Sequence, residues 1–330
     1  MVLFFCEIAG FNRPSDRKCS KILTDGSKTV KHRVINHHKR TVENMKSMIF
    51  AAGLGTRLKP ITDTLPKALV PVCGMPLIEL TCRKLMASGI NQAVVNIHHF
   101  ADKIEEWAAQ QDWVVTSPCH SETTAGHSET TAGKMLLQFS DERQQLLETG
   151  GAVLHARRFL EGCGHFLIHN VDILSNADLR WLESQVRPDA LATLLVSRRE
   201  TTRFLLFHPE TMRLVGWHNT NTGDYHLADD TIALEDCTRY GFSGIHILSD
   251  KVLALMEEYA KWRNLPVEDP AGVKFSIMNF YLWAALKHPI YGVVAEDLHF
   301  LDVGKLDALA PAEDFVQSLF PKTLVSRKHI

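Results

Sequence analysis

A short apolar run, Ser47-Met48-Ile49-Phe50-Ala51-Ala52, stops at Gly53-Leu54-Gly55-Thr56-Arg57-Leu58, and no other feature of the chain restricts its fold as much. A run with no polar alternation fits a strand buried on both faces of a parallel sheet. Glycines just beyond it let backbone N–H groups approach a polyphosphate without side-chain obstruction. Arg57 and Lys67 supply cations that offset phosphate charge, and Thr56 can donate a further hydrogen bond. Gly-x-Gly by itself is only a turn signal. The dinucleotide fingerprint needs a third glycine where Leu58 stands. A P-loop needs four residues between its glycines and then Gly-Lys-Ser/Thr, which is absent.

The pattern that follows alternates strand and helix. Pro76 to Ala87 spaces its apolar residues at helical intervals and stops at Ser88-Gly89. Residues 93–97 read as a second buried strand and 101–111 as a helix. Residues 135–139, 166–170, 190–196, 240–248 and 299–303 read as strands; 150–159 and 275–286 read as helices. Residues 204–207 and 213–217 suggest a hairpin through Pro209-Glu210-Thr211. Alternation implies right-handed crossovers and a parallel sheet. No composition break divides residues 46–320, which predicts a single α/β domain there with a short tail at 321–330.

Residues 1–45 differ. Basic residues dominate the first 44, no period of 2 or 3.6 is visible, and the composition suits a disordered basic extension. A second reading makes Met45, just before the first strand, the natural start. Residues 116–134 hold a loop insertion in which His120 to Gly126 repeats at once as 127–133; two copies are too few for a solenoid. The polar composition fits a lengthened surface loop, with a metal site of His120, Glu122, His127 and Glu129 as the alternative.

A formal net charge of −2 gives no argument for a nucleic-acid partner or an anionic membrane surface. The seven cysteines are scattered with no Cys-x-x-Cys pair, as expected of reduced thiols. No apolar run reaches a membrane span, and Val2 to Phe5 is too short for a signal-peptide core. The expectation is a cytoplasmic protein.

The longer run from Ala51 to Pro60, continuing through Pro66-Lys67-Ala68-Leu69-Val70-Pro71, resembles the signature of the sugar-phosphate nucleotidylyltransferases. Leu147-Glu148-Thr149-Gly150-Gly151-Ala152 looks like that family's second glycine loop; the plain alternative is a helix capped by Thr149. Ile168-His169-Asn170-Val171-Asp172 and Phe300-Leu301-Asp302-Val303-Gly304 resemble the two segments that carry the family's metal-binding aspartates. Tyr240 to His246 resembles its sugar-pocket strand, or is a buried strand with ordinary small residues. Within the family, length and Leu-Glu-Thr-Gly-Gly look most like the N-acetylmuramate 1-phosphate uridylyltransferases and the short mannose 1-phosphate guanylyltransferase-like proteins.

The resemblance implies a Rossmann-like three-layer α/β fold with a mixed, mostly parallel sheet of the GT-A-like type. It implies an enzyme joining a nucleoside triphosphate to a sugar 1-phosphate, with Arg57 and Lys67 catalytic. Ala52, Gly53, Gly55, Thr56, Glu148, Gly150, Gly151 and Asn170 would bind the nucleotide, and Ser243 and Gly244 the sugar. Asp172 and Asp302 would hold Mg²⁺, which one or two protein carboxylates can do when phosphate oxygens and water complete the shell. A cytidylyltransferase for a choline-type phosphate and a non-catalytic nucleotide-sugar-binding regulator are the alternatives. His98-His99 would border the base pocket, and His169 reads as a satisfied strand histidine rather than a catalyst. Base, sugar and oligomeric state stay open.

Overall fold

The computed structural model describes residues 45–117, 133–228, 232–269 and 271–319. The basic stretch 1–44, the four candidate ligands of the doubled heptad and residues 320–330 lie outside the described residues.

In chain order the elements are β1 (Lys46–Phe50), the small ribbon β2 (Pro71–Val72) and β3 (Met75–Pro76), α1 (Leu77–Ala87), β4 (Gln92–Ile97), α2 (Ala101–Ala109), β5 (Val114–Ser117) and β6 (Met135–Asp141). They continue with α3 (Glu148–His155), α4 (Arg157–Leu160), β7 (His165–Asn170), β8 (Ile173–Ser175), α5 (Leu179–Ser184) and β9 (Ala192–Ser197). The rest is β10 (Arg203–Phe207), β11 (Leu214–Asn219), β12 (Tyr225–Leu227), β13 (Thr238–Ser249), α6 (Val252–Trp262), α7 (Ile277–Ala284), β14 (Ile290–Val294), β15 (Phe300–Asp302) and α8 (Leu309–Leu319).

The central sheet is mixed. β1 lies between β4 and β7, parallel to both, and β6 and β5 extend the parallel half beyond β4. Beyond β7 the direction reverses. β13 runs antiparallel to β7, β9 and β10, and β11 and β12 carry the sheet outward. The expected hairpin of residues 204–207 and 213–217 is β10 with β11.

β1, β4, β6 and β7 are buried along nearly their whole length because both faces are covered. On β1, Met48 joins a core with Ile168, Val153, Met256 and Phe280, from α3, α6, α7 and β7. Ile49, one residue on, joins the opposite core with Ile78, Leu85, Ile104 and Val316, from α1, α2 and α8. The residue-by-residue switch of face is the period of two of a strand, and it makes three layers.

β13 supplies the junction between the halves. Its register against β9 shifts between Phe242 and His246, and Gly244 takes a left-handed φ of 79°. The Ser243 hydroxyl donates to Leu195 O at 2.7 Å and accepts from Ile245 N at 3.2 Å, replacing ladder bonds that the bulge breaks. Ser243 is therefore buried inside the bulge with its hydroxyl engaged. It shapes the strand through these bonds.

Candidate active site

The first glycine loop leaves the carboxyl end of β1, where open α/β sheets bind ligands. Gly55 has φ 63°, a conformation that favours glycine. A methyl group there would also sit 2.9 Å from Thr62 Cγ2 and 3.1 Å from Lys67 Cβ. The carbonyl of Gly55 accepts from Leu58 N and from the Thr62 hydroxyl, each at 2.8 Å. Leu58 is fully buried and pins the loop to the core, while Gly53, Thr56 and Arg57 stay exposed. Around a Cβ built on Gly53 there is no atom within 4 Å. Packing does not demand a glycine at that position.

Lys67 opens a short 3₁₀ turn and pairs with Asp172, both side chains being mostly buried. Asp172 follows β7. Asp302 arrives beside it from the far end of the chain because β15 pairs with β8, setting Asp302 opposite Ile173. Val303 N donates to Asp172 O at 2.8 Å and locks the junction. Burial raises the Asp302 carboxyl above its ordinary range, and the charge of Asp172 raises it further; Lys67, Arg57 and the Gly304 amide oppose this. A methyl group on Gly304 would lie 2.6 Å from Asp302 Oδ1 and 2.8 Å from Arg57 Nη2. Arg57, Lys67, Asp172 and Asp302 thus come together in one place.

Two neighbouring carboxylates, one raising the pKa of the other, suit a hard divalent cation that relieves their repulsion. No cluster of three or more His, Cys, Asp or Glu forms among the described residues. Two aspartates with phosphate oxygens and water match the way Mg²⁺ is usually held.

The second glycine segment departs from its sequence reading. α3 starts at Glu148, whose φ is 62°, an uncommon left-handed value for a residue with a side chain. Thr149 is not a cap; its hydroxyl accepts from Ile277 N at 3.0 Å, tying α3 to α7. Gly150 N and Gly151 N both donate to Phe275 O, at 2.9 and 3.1 Å. A Cβ on Gly150 would meet the Phe275 ring at 2.4 Å, and one on Gly151 would meet Val273 O at 1.9 Å. These two glycines exist for close packing, and their N–H groups are already engaged. Of this segment, exposed Glu148 remains open, with Lys274 Nζ at 3.8 Å.

Asn170 ends β7 opposite Phe50 of β1. Gly244 makes room for it, since a methyl there would touch Asn170 Nδ2 at 2.8 Å. His169 is fully buried with Nδ1 bonded to Asn170 O at 2.8 Å, but Nε2 has no partner among the described residues. Burial foremost, then the charge of Lys84, pulls its pKa down to about 4. His169 is therefore a neutral strand histidine, half satisfied. His98 Nδ1 donates to Glu142 O at 2.7 Å, and the His99 ring lies against Phe100, tilted by 43° with centroids 3.9 Å apart.

Three residues with little sequence signal also stand here. Arg199 packs over the Phe300 ring, 4.9 Å from its centroid, and donates to Phe242 O at 3.3 Å. Partial burial lowers its pKa while the nearby Asp302 opposes the shift. A second arginine just past a strand end is too common in loops to have marked it. Asn96 and Glu142 form a buried pair behind both glycine segments. An acid one residue beyond a strand reads as surface until the fold covers it.

A family model described as Nucleotidyl transferase matches residues 46–204. The N-acetylmuramate alpha-1-phosphate uridylyltransferase of Caulobacter vibrioides is 31% identical over 272 residues, 81% of this chain and 95% of that protein. This chain belongs to the sugar-phosphate nucleotidylyltransferase family. A Neisseria meningitidis protein of the same description is 34% identical over 134 residues, 41% of this chain and 49% of the relative. Among solved structures, the UDP-glucose pyrophosphorylase of Acinetobacter baumanii superposes with a TM-score of 0.61 at 18% identity, covering 84% of this chain and 95% of that one. That likeness establishes the mixed α/β fold. Members of this family move a nucleotidyl group from a nucleoside triphosphate to a sugar 1-phosphate, and the chain is such a transferase. No helix among the described residues is long and apolar enough to cross a membrane.

Proposed function

We propose that the protein transfers UMP from UTP to N-acetylmuramate 1-phosphate, in the cytoplasm where nucleoside triphosphates are made. The observation that carries the reaction is the convergence of two cations, Arg57 and Lys67, on two aspartates, Asp172 and Asp302, at the open end of β1 and β7. The choice of base and sugar draws support from the Caulobacter vibrioides relative, which this chain matches over nearly its whole length.

An oxygen of the sugar 1-phosphate attacks the α-phosphorus of the triphosphate. The bond to the β-phosphate oxygen breaks, and pyrophosphate leaves in line. The nucleophile is already an anion, so no general base is needed. Such transfers depend on positioning and charge stabilisation. The loop from Ala52 to Thr56 holds the triphosphate, with Gly53 and Gly55 letting it approach. Arg57 holds the departing pyrophosphate. Lys67 leaves Asp172 in part to bridge the reacting phosphates. Asp172 and Asp302 would hold Mg²⁺, which would supply neutralisation of phosphate charge there. Glu148 and Asn170 face the nucleoside, Gly244 sets the position of Asn170, and Arg199 offers a cation to the sugar phosphate. Gly150, Gly151 and Ser243 act on the site through close packing and backbone hydrogen bonds.

The test is a pyrophosphate-release assay of UTP, GTP, CTP and dTTP against the 1-phosphates of N-acetylmuramate, mannose, glucose and N-acetylglucosamine. UTP with N-acetylmuramate 1-phosphate is expected to give the highest kcat/KM. A higher value for another pair replaces the base or the sugar; release from none of the sixteen pairs overturns the reading.

A further inference from the structure

Behind the two glycine segments, buried from solvent, lies an amide–carboxylate pair. Asn96, near the end of β4, is 4% exposed, and Glu142, just after β6, is 0% exposed. Asn96 Oδ1 accepts from Ala51 N at 2.7 Å and from Ala52 N at 3.4 Å, at the root of the first glycine loop. Its Nδ2 donates to Glu142 Oε1 at 2.9 Å. Glu142 Oε2 accepts from Leu147 N at 3.2 Å, the residue before Glu148. The backbone of Glu142 is fixed as well, by its donation to Ile97 O at 2.8 Å and by Gln145 N and His98 Nδ1 donating to its carbonyl.

Burying a carboxylate is unfavourable, and apolar residues of equal volume usually serve stability as well or better. What the pair does that apolar packing does not is to bond two specific backbone sites at once. One is residues 51–52, where the triphosphate loop leaves β1. The other is residue 147, where the segment facing the nucleoside begins.

We propose that Asn96 and Glu142 are positioning residues, a two-side-chain brace that fixes the spacing between the triphosphate loop and the nucleoside segment and thereby sets affinity for the nucleotide. The proposal rests on the nucleotidyl-transfer reading above. It makes a demanding requirement of hydrogen-bond polarity. The brace needs an acceptor facing Ala51 N, an acceptor facing Leu147 N, and one donor between the two side chains. Exchanging the roles, with a carboxylate at position 96 and an amide at position 142, meets all three demands with the same charge. Each single change fails. E142Q leaves one oxygen at position 142 for two donors, Asn96 Nδ2 and Leu147 N. N96D sets two carboxylates against each other unless a proton is shared between them. The other ionisable groups acting on Glu142 are His98 and Asp141, and neither changes in these variants.

Pyrophosphate-release kinetics on N96D, E142Q and N96D/E142Q, with thermal unfolding of each, test this. Each single variant is expected to raise the nucleotide KM about tenfold or more, the scale of a buried donor or acceptor left unpaired. The sugar 1-phosphate KM should not move. The double variant should regain most of the loss. The N96D defect should shrink as pH falls, since a shared proton restores the missing donor, while E142Q shows no such recovery. If the single variants do not fold but the double one folds and turns over, the brace stands. The proposal is overturned if the double variant is no better than the worse single one, or if folded single variants keep the wild-type nucleotide KM. It is also overturned if the loss falls equally on both substrates. A wild type that releases no pyrophosphate sinks the reaction reading alone. The brace is then judged on nucleotide Kd by calorimetry in the same four proteins, with the same expected order.

Discussion

Gly53 stands in open space, whereas Gly151 has no room for a single methyl group. Both belong to glycine pairs at the candidate site, yet their surroundings assign them different work. The first pair sits on an exposed loop, anchored from below by buried Leu58 and by the bonds to Gly55 O. The second lies buried in the first turns of α3, with its amides bonded to Phe275 O. A glycine can be required by a ligand or by a neighbouring backbone. Only the atoms around it distinguish the two.

The largest expected effect tests whether the open loop is the chemical one. Lys67→Ala should lower turnover roughly 10²- to 10³-fold, the loss of one key electrostatic donor. Near-normal turnover in steady-state assays would remove Lys67 from the chemistry and leave the first loop as a turn. Next, Gly151→Ala forces a Cβ to within 1.9 Å of Val273 O. It should cost about 3 kcal/mol, the upper part of the overpacking range, and lower Tm by several degrees. A Tm equal to that of wild type would show that residues 273–275 can retreat, and would erase the contrast. Gly53→Ala is the counterpart. It should change stability by less than about 0.5 kcal/mol while raising the nucleotide KM, since its new methyl group meets only what binds there. A falling Tm with an unchanged KM would exchange the roles of the two pairs. The last test is at Glu148, held at φ 62°. A left-handed residue with a Cβ costs about 1–2 kcal/mol, and glycine costs about 0.5–1 kcal/mol in unfolded-chain entropy. Glu148→Gly should therefore raise stability by up to about 1 kcal/mol while weakening nucleotide binding. A loss of stability would mean the Glu148 side chain holds α3 in place.

Much of the fold was legible because its causes are local. Short, mostly apolar runs such as 47–52, 93–97 and 166–170 fit strands covered on both faces, and they occupy adjacent places in the parallel half of the sheet. The helix at 77–87 followed from the spacing of its buried residues, Leu77, Ile78, Leu80 and Leu85 among them. The reversal of direction at β13 was not legible, since a buried antiparallel strand and a buried parallel strand read alike. The bulge at Ser243 and Gly244 was not legible either, since it came with the pairing to β9, and it engages the Ser243 hydroxyl with the backbone of Leu195.

The proposed phosphate end of the site lies within one short stretch of the chain, because a Gly-rich turn with an Arg and a nearby Lys is a device of short range. By itself the sequence determined that device, the alternation of strand and helix, and the aspartates and glycines available to serve it. Only the tertiary structure decided which of them serve together. It set Asp302 beside Asp172 through the pairing of β15 with β8, placed Arg199 next to Asp302, and joined Asn96 to Glu142. It also turned Gly150 and Gly151 inward against Phe275. The reason is physical. Backbone conformation and burial period are decided by neighbours along the chain. The partner of a buried charge or donor is decided by whichever distant strand packs against it.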